Sequence, residues 1–365
     1  MPELPEVERA VRLLQQVAKG KRISSIQSFP DSIVFSGVTH QEFVKELEGR
    51  VVLDAKRYGK VFYLTLDGKG KSPVLHFGMT GMLQVKGAVP LHYKEAPRKP
   101  KDPNEWPPRF SKFILHLHSP SESPTEDPGV EIAFLDARRL GRIRLCSSPA
   151  EEPPISELGF DPILSMPLID TFSTSVIKRS CPIKALLLDQ SFSAGVGNWV
   201  ADEVLYHARI HPEQRCNTLS SDQIKQLHKN LVYVCQTAVD LNADDKRFPE
   251  NWLFRHRWGK GKKKSGHPLL LPSGKPATIK WLKVGGRTSA FVTELQHLGK
   301  AQNPGPVADE TEESDLTLLS DSESLGLLPA TTKRKRTKKK SEQMVTNDDA
   351  RLSTRSSKRL KTQAK

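Results

Sequence analysis

The sequence predicts an α+β protein: an N-terminal antiparallel β-sandwich with a flanking helix, then a helical domain that ends in a β-hairpin. Three observations carry this. The residues after Met1 show helical periodicity; the stretch up to Cys146 alternates apolar and polar residues between Gly-containing turns; and from Asp170 to Leu241 the apolar spacing is again helical. The implied boundaries are a sandwich domain over 2–146, a linker over 147–168, a helical domain over 169–245, a loop and hairpin over 246–300, and a tail over 301–365.

Val7, Ala10, Val11, Leu14 and Val17 recur at helical spacing, and Pro5 suits the first turn, where its missing N–H costs nothing. KGKRI closes this helix. The β-like runs that follow are SIQSF, RVVLDAKRYGKVFYLTLDG, SPVLHFGMTGMLQV, SKFILHLH and GVEIAFLDARRLGRIRLC, whose alternation and turns indicate an antiparallel sandwich or barrel. Two Pro-rich inserts, LHYKEAPRKPKDPNEWPPR and SPSESPTEDPG, read as exposed loops. DTFSTSVIKRS, PIKALLLDQ, NWVADEVLYHARI and SSDQIKQLHKNLVYVCQTAVDL read as helices. A loop rich in cations and aromatics, RFPENWLFRHRWGKGKKKSGHP, leads to TIKWLKVGGRTSAFV, two β-runs around Gly285-Gly286. That pair is a strong two-residue hairpin signal.

A chain of 365 residues has room for two domains plus extras, at about 150 residues per domain. Its 36% apolar content is low for a globular protein, and the tail explains much of the deficit. There aromatics are absent and Gly, Ser, Pro and charge dominate, so burial cannot offset the entropy of ordering. The tail splits into an acidic stretch, Asp309 to Glu323, and a basic one from Lys333. It holds only +3 of the chain's +14, which leaves +11 on residues 1–300 and favours a polyanionic partner.

No apolar run reaches ~18 residues and no signal-peptide pattern is present, which argues against a membrane span and against secretion. Cys146, Cys181, Cys216 and Cys235 lie far apart with no C-x-x-C, and read as reduced intracellular thiols rather than a zinc finger. KRKRTKKK at Lys333–Lys340 reads as a nuclear address, or as a solvated basic tail that adds non-specific nucleic-acid affinity; both can hold.

The most informative stretch runs from Pro182 to Pro212, PIKALLLDQSFSAGVGNWVADEVLYHARIHP. A helix enters a Gly-punctuated double turn, Ala194-Gly195-Val196-Gly197-Asn198, and a second helix starts at or after Asn198. Asn198 is placed to cap it, and free N–H groups at such a start can hold a phosphate. A G-x-G turn alone fits an ordinary helix hairpin equally well. The whole string, however, resembles the helix–two-turn–helix of the formamidopyrimidine-DNA glycosylase family, which also starts Pro-Glu-Leu-Pro-Glu-Val-Glu. YGKVFYL around Lys60, HFGMTG around Met79, DARRLG around Arg138 and GGRTSAF around Arg287 match the family in order. The resemblance covers roughly residues 2–300 and omits only the inserts and the tail.

The resemblance implies a mechanism. Removal of Met1 leaves Pro2 as an N-terminal secondary amine, the nucleophile at C1′ of a damaged nucleotide. An α-amino group titrates at roughly 7.7–8.0 and a lysine near roughly 10.4, so the former is easier to use unprotonated at neutral pH. The positive end of the following helix favours that form further. Glu3, by resemblance, handles the proton that opens the deoxyribose ring. Glu6 matches a second acid near the sugar, or compensates the helix start. Lys60 is assigned to phosphate contact and proton transfer.

Met79, Arg138 and Leu140 match residues the family pushes into the hole left by the extruded nucleotide, although core packing is the alternative for Met79 and Leu140. Bacterial members usually have Phe at Leu140, so lesion probing differs here. Arg287 matches a finger-tip arginine that binds flanking phosphates; Lys184 and Asn198 match further phosphate contacts. His76 and Arg139 are DNA contacts or structural residues.

The expected function is a bifunctional DNA glycosylase and AP lyase of base excision repair, monomeric, nuclear and without a cofactor. Its substrate is damaged double-stranded DNA, with oxidised purines removed and the strand cut by β,δ-elimination. Two rivals stand beside it: a relative specialised for oxidised pyrimidines or hydantoins, with base choice in a loop over Lys246–Pro268, and a non-catalytic damage-binding protein. The tail is a candidate for import receptors or repair proteins.

Bacterial members build the finger on four zinc-bound cysteines, and this chain has none of them there, so a zincless β-hairpin is expected. Elemental analysis of the purified protein should find no stoichiometric zinc, and chelators should leave stability unchanged; bound zinc would defeat the expectation.

Overall fold

A computed structural model describes residues 2–88, 105–120, 129–258 and 267–298. Most of both Pro-rich inserts, residues 259–266 of the cationic loop, and the whole tail with its acidic and basic stretches lie outside the described residues. Among the described residues no helix is long and apolar enough to cross a membrane.

The chain opens with α1 (Leu4–Ala18), whose buried stripe of Leu4, Val7, Ala10, Val11, Leu14 and Ala18 follows the helical spacing. Eight strands and one further helix follow: β1 (Arg22–Ser28), α2 (His40–Leu47), β2 (Val52–Tyr58), β3 (Val61–Leu66), β4 (Ser72–His76), β5 (Met82–Val85), β6 (Ser111–His118), β7 (Val130–Leu135) and β8 (Arg142–Cys146). They form two four-stranded antiparallel sheets, ordered β1-β6-β7-β5 and β2-β3-β4-β8. Their inner faces share one core with α1 and α2. Aromatic pairs cross this core, from Phe62 to Phe77 (4.7 Å), Phe77 to Phe134 (5.7 Å), Phe134 to Phe113 (5.5 Å) and Phe113 to Phe43 on α2 (5.0 Å). Each such pair adds roughly 0.5–1.5 kcal/mol beyond area burial.

Helix α2 does not follow from the apolar spacing, yet it carries a signal: Thr39 and Glu42 form a capping box, with Glu42 N donating to Thr39 Oγ1 (3.1 Å) and Thr39 N to Glu42 Oε2 (2.8 Å). SPVLHFGMTGMLQV, read as one β-like run, holds two strands, β4 and β5, that join different sheets.

The segment over 147–168, expected as a linker, is anchored. Asp161, fully buried, accepts from Gly59 N (2.9 Å), Ile163 N (2.9 Å) and Leu164 N (3.0 Å), and pairs with the buried guanidinium of Arg57. Arg57 in turn reaches Glu8 on α1 at 2.8 Å. Leaving one member of such a pair alone and buried costs about 3–5 kcal/mol, so the segment is held where strand β2 ends.

The helical part comprises α3 (Ile169–Ile177), α4 (Ile183–Leu188), α5 (Asn198–Ala208) and α6 (Ser221–Asp240) around a second core. The first half of the cationic loop belongs to that core rather than to an open loop. Phe248, Trp252, Leu253 and Phe254 are buried, and the buried carboxylate of Glu203 on α5 accepts from Leu253 N (3.0 Å) and Phe254 N (2.7 Å). Strands β9 (Ile279–Val284) and β10 (Arg287–Val292) pair antiparallel with Arg287 opposite Val284. Gly285 and Gly286, with φ of 55° and 70°, form the two-residue turn between them, which side chains other than Gly would strain. Trp281 pairs across to Ala290, whereas Phe291 pairs to Lys280 and packs on His211, so the two aromatics flank opposite faces of the hairpin.

Candidate active site

Everything the sequence assigned to chemistry near the N-terminus converges on the turn between α4 and α5. Pro2 and Glu3 are buried there. Leu4 N donates to Gly195 O (3.1 Å), which pins the start of α1 to the turn. The Glu3 carboxylate lies across the N-terminus of α5, where Oε1 accepts from Trp199 N (2.9 Å) and Oε2 from Val200 N (3.0 Å). The α5 dipole favours negative charge at that point.

Free amides at this helix start could hold a phosphate; in the structure two of them donate to Glu3. Nor does Asn198 cap the helix. Gly197 occupies the N-cap position, Asn198 is the first helical residue, and its Nδ2 donates to Thr288 O on the hairpin (3.1 Å).

The glycines of the turn are required by this approach. A Cβ on Gly197 would overlap the Glu3 carboxyl group, and one on Gly195 would lie 2.8 Å from Leu4 Cβ. Gly59, with φ of +58°, brings the β2–β3 turn against Ala194. Lys60 follows it, 7% exposed, and donates to Val196 O at 3.0 Å. Gln190, which the sequence did not single out, braces the same turn from behind, donating to Val196 O (2.9 Å) and accepting from Gly195 N (3.1 Å).

Glu6 touches both helix starts: Oε2 accepts from Glu3 N (2.9 Å) and Oε1 from the Trp199 indole (3.1 Å). Burial, then the neighbouring charge of Glu3, raises its pKa to about 7, so it can carry or release a proton at neutral pH. Its helix-start role and its acid role are therefore both available in one geometry. Burial lowers Lys60 to about 8, against the pull of Glu3 and with a push from the charge of Arg287. Two carboxyls, Glu3 and Glu6, and the ammonium of Lys60 thus gather at the turn that receives the start of α1.

A second cluster lies at the edge of the sandwich. A Cβ on Gly78 would overlap the Leu140 carbonyl, so the loop carrying Met79 abuts the loop 136–141. Asp136, 1% exposed, shapes that loop by accepting from Arg138 N (3.1 Å) and Gly141 N (2.6 Å). Leu140 is 42% exposed, Arg138 is exposed and Met79 is half-buried, so Leu140 is not a core residue. His76 Nδ1 accepts from Gly78 N (3.1 Å), which serves the loop. Arg139 binds both oxygens of Asp31 at 3.0–3.2 Å. Burial alone would raise Asp31, but hydrogen bonds from Arg139 and Lys112 hold its carboxyl well below the usual range.

Lys184 requires a correction. It is fully buried, its ammonium bonded to Asp202, to Ser289 Oγ (3.2 Å) and to Asn198 O (3.3 Å), and so cannot reach a phosphate in this structure. Burial lowers its pKa even against the attraction of Asp202. Helical spacing could not reveal that Lys184 points inward. Arg287 stays half-exposed beside the Gly285-Gly286 turn, where a Gly285 Cβ would lie 3.2 Å from Ala185 on α4. No cysteine lies on the hairpin, and among the described residues no His, Cys, Asp and Glu cluster has a metal-holding arrangement.

Comparison with known proteins places this geometry in context. The profile of the formamidopyrimidine-DNA glycosylase N-terminal domain matches residues 1–143, and that of the formamidopyrimidine-DNA glycosylase H2TH domain matches residues 158–249. The chain is 40% identical over 298 residues to a formamidopyrimidine-DNA glycosylase of Arabidopsis thaliana, covering 82% of this chain and 71% of that one. It is 30% identical over 250 residues to the Bacillus subtilis protein of that name, covering 68% and 81%. Among solved structures it is similar to a Lactococcus lactis formamidopyrimidine DNA glycosylase bound non-covalently to DNA containing an AP site. That match has a TM-score of 0.61 at 25% identity and covers 80% of this chain and 99% of that one. A complex of a mutant form of the Lactococcus lactis protein with Fapy-dG DNA gives 0.62 at 25%, covering 81% and 99%.

The close approach of Glu3 to Gly197 has a measurable consequence. Gly197→Ala should lower stability by about 1–3 kcal/mol through overpacking. Adding Glu3→Ala should recover part of that loss in thermal unfolding. Full additivity of the two changes would mean that they do not meet.

Proposed function

This chain belongs to the formamidopyrimidine-DNA glycosylase family, and we propose that it excises damaged bases from duplex DNA and then cleaves the abasic strand, with Pro2 as nucleophile. The observation that carries the proposal is the convergence of Glu3, which directly follows the buried Pro2, with Glu6 and Lys60 on the turn between α4 and α5.

The steps follow from these groups. With Met1 removed, the Pro2 amine attacks C1′ of the extruded nucleotide, the C1′–N bond breaks, and the base leaves with a proton. Glu3 takes up the proton that the Pro2 nitrogen loses on bonding to C1′ and passes it to the ring oxygen as the sugar opens, and the iminium between Pro2 and C1′ forms. Loss of a proton from C2′ expels the 3′ phosphate, and a second elimination expels the 5′ phosphate. Hydrolysis of the remaining iminium frees Pro2. Lys60 and Glu6, with pKa values of about 8 and about 7, suit the proton transfers between these steps. Met79, Arg138 and Leu140 fill the vacated stack, and Arg287 grips a flanking phosphate from a hairpin that needs no metal. KRKRTKKK directs the protein to the nucleus.

Oxidised purines, formamidopyrimidines first and 8-oxoguanine after them, are the proposed substrates. Leu140, which stacks less well than an aromatic ring, favours a second reading in which oxidised pyrimidines or hydantoins are preferred. A panel of single-lesion duplexes separates the two.

Borohydride should trap a covalent protein–DNA adduct that peptide mass places at Pro2, and retention of Met1 should abolish trapping while DNA binding persists. Because Lys60 is also easily deprotonated, an adduct on Lys60 is the outcome that removes Pro2 from its role.

Glu3→Gln should slow base excision by roughly 10²–10⁴, and cleavage of a preformed abasic site less. It should also cost about 1–3 kcal/mol of stability, because the amide turns a donor toward an N–H of α5. A variant that unfolds at the same temperature and excises at the unmodified rate would sink the assignment.

A further inference from the structure

A two-stranded hairpin is marginal by itself in water and needs an anchor. One face of this one supplies apolar contact: Ile279, Ala290 and Val292 pack with Tyr206, Leu253 and Leu269. Apolar contact fixes burial better than it fixes register or angle, and Arg287 needs both to meet a phosphate. The opposite face carries Ser289, fully buried, against the carboxylate of Asp202 on α5.

Asp202 is 1% exposed and both of its oxygens are saturated. Oδ1 accepts from Ser289 Oγ (2.6 Å) and from the Lys184 ammonium, while Oδ2 accepts from Arg257 Nε (3.1 Å), Arg257 Nη2 (2.6 Å) and Ala290 N (3.2 Å). One helical turn earlier, Asn198 donates to Thr288 O (3.1 Å). Positions i and i+4 of α5 therefore bind three successive residues, Thr288, Ser289 and Ala290, directly after Arg287. Arg257, the third element of the cluster, stacks over Trp258 at 4.4 Å and accepts the Trp281 indole on its carbonyl (2.9 Å).

We propose that Asp202 is a positioning residue that sets the hairpin, and through it Arg287, by a buried polar clasp of Lys184, Arg257, Ser289 and the β10 backbone. The inference rests on the reading of Arg287 as a phosphate-binding group. Were Asp202 present only to neutralise Lys184, it would have no need of Ser289 and Ala290, which are the hairpin's own donors. The clasp does by fixed hydrogen bonds what a bound metal does elsewhere, with ligands contributed by α4, α5 and the loop as well as the hairpin.

The test uses the full chain. Asp202→Asn keeps the shape but unbalances the charges, and Ser289→Ala removes one hydroxyl while leaving every ion pair in place. Hydrogen exchange in the free protein should quicken over Ile279–Val292 and not over α3 or α6. Affinity for a duplex with a stable tetrahydrofuran site should fall by about tenfold in Asp202→Asn, with a salt slope shallower by about one unit. In an Arg287→Ala background the same change should cost less than about twofold. Should Asp202→Asn fail to fold, Ser289→Ala carries the same cycle with a smaller effect in the same direction. Losses that add in full, or exchange that rises equally in α6, would overturn the proposal. Binding and exchange report on the clasp even if Pro2 trapping fails, and if Arg287→Ala itself leaves affinity unchanged, the hairpin exchange alone decides.

Discussion

The carboxylate of Glu3 on the first amides of α5 is the contact on which the rest of the structure depends. It satisfies two N–H groups that a helix start leaves without partners, and it does so with a residue from the far end of the sequence. Around it, Gly195 and Gly197 give up side chains, Gly59 takes a left-handed conformation, and Lys60 and Glu6 close the remaining sides. One group joins the sandwich to the helical part. Charge, packing and chemistry cannot be varied there one at a time.

Much of this is legible in the residues. The helical stripe of α1, the strand runs, the four helical segments and the Gly-Gly hairpin follow from spacing and turn chemistry alone. The convergence of Pro2, Glu3 and Lys60 is readable only through the family's ordered motifs, because no local pattern links positions so far apart. Two residues depart from their local pattern for physical reasons. Lys184 looks like an exposed cation on a short helix, but its partner Asp202 lies 18 positions on, and only the fold brings them together. Asn198 looks like a cap, but Gly197 must hold that position because Glu3 fills the space a side chain would need. Helix α2 announces itself by a capping box between weak apolar spacings.

The cationic loop shows how composition misleads. Its composition reads as a loop, whereas Phe248, Trp252 and Phe254 are core residues and Glu203 holds the backbone at Leu253 and Phe254. Burial and the hydrogen bonds of Leu253 and Phe254 act on that carboxyl in opposite directions, and burial prevails, leaving its pKa raised. Asp202 and the Trp258 ring hold Arg257 at the end of this segment. Similarly Asp161 turns an apparent linker into a strut. In both cases a buried carboxylate that gathers backbone amides gives shape to a segment that propensity leaves undetermined.

The span of the Glu3 contact also dictates an order of events. Its partners are separated by 196 residues, so the first residues made are among the last to find their place. A chain leaving the ribosome holds an N-terminus with nothing to dock on until α5 and the turn before it have emerged. Loop closure over such a distance is slow beside helix formation, and it comes after local structure. The N-terminus is therefore enclosed only in a finished molecule. A truncated or stalled product would carry that terminus without the helix start that receives Glu3.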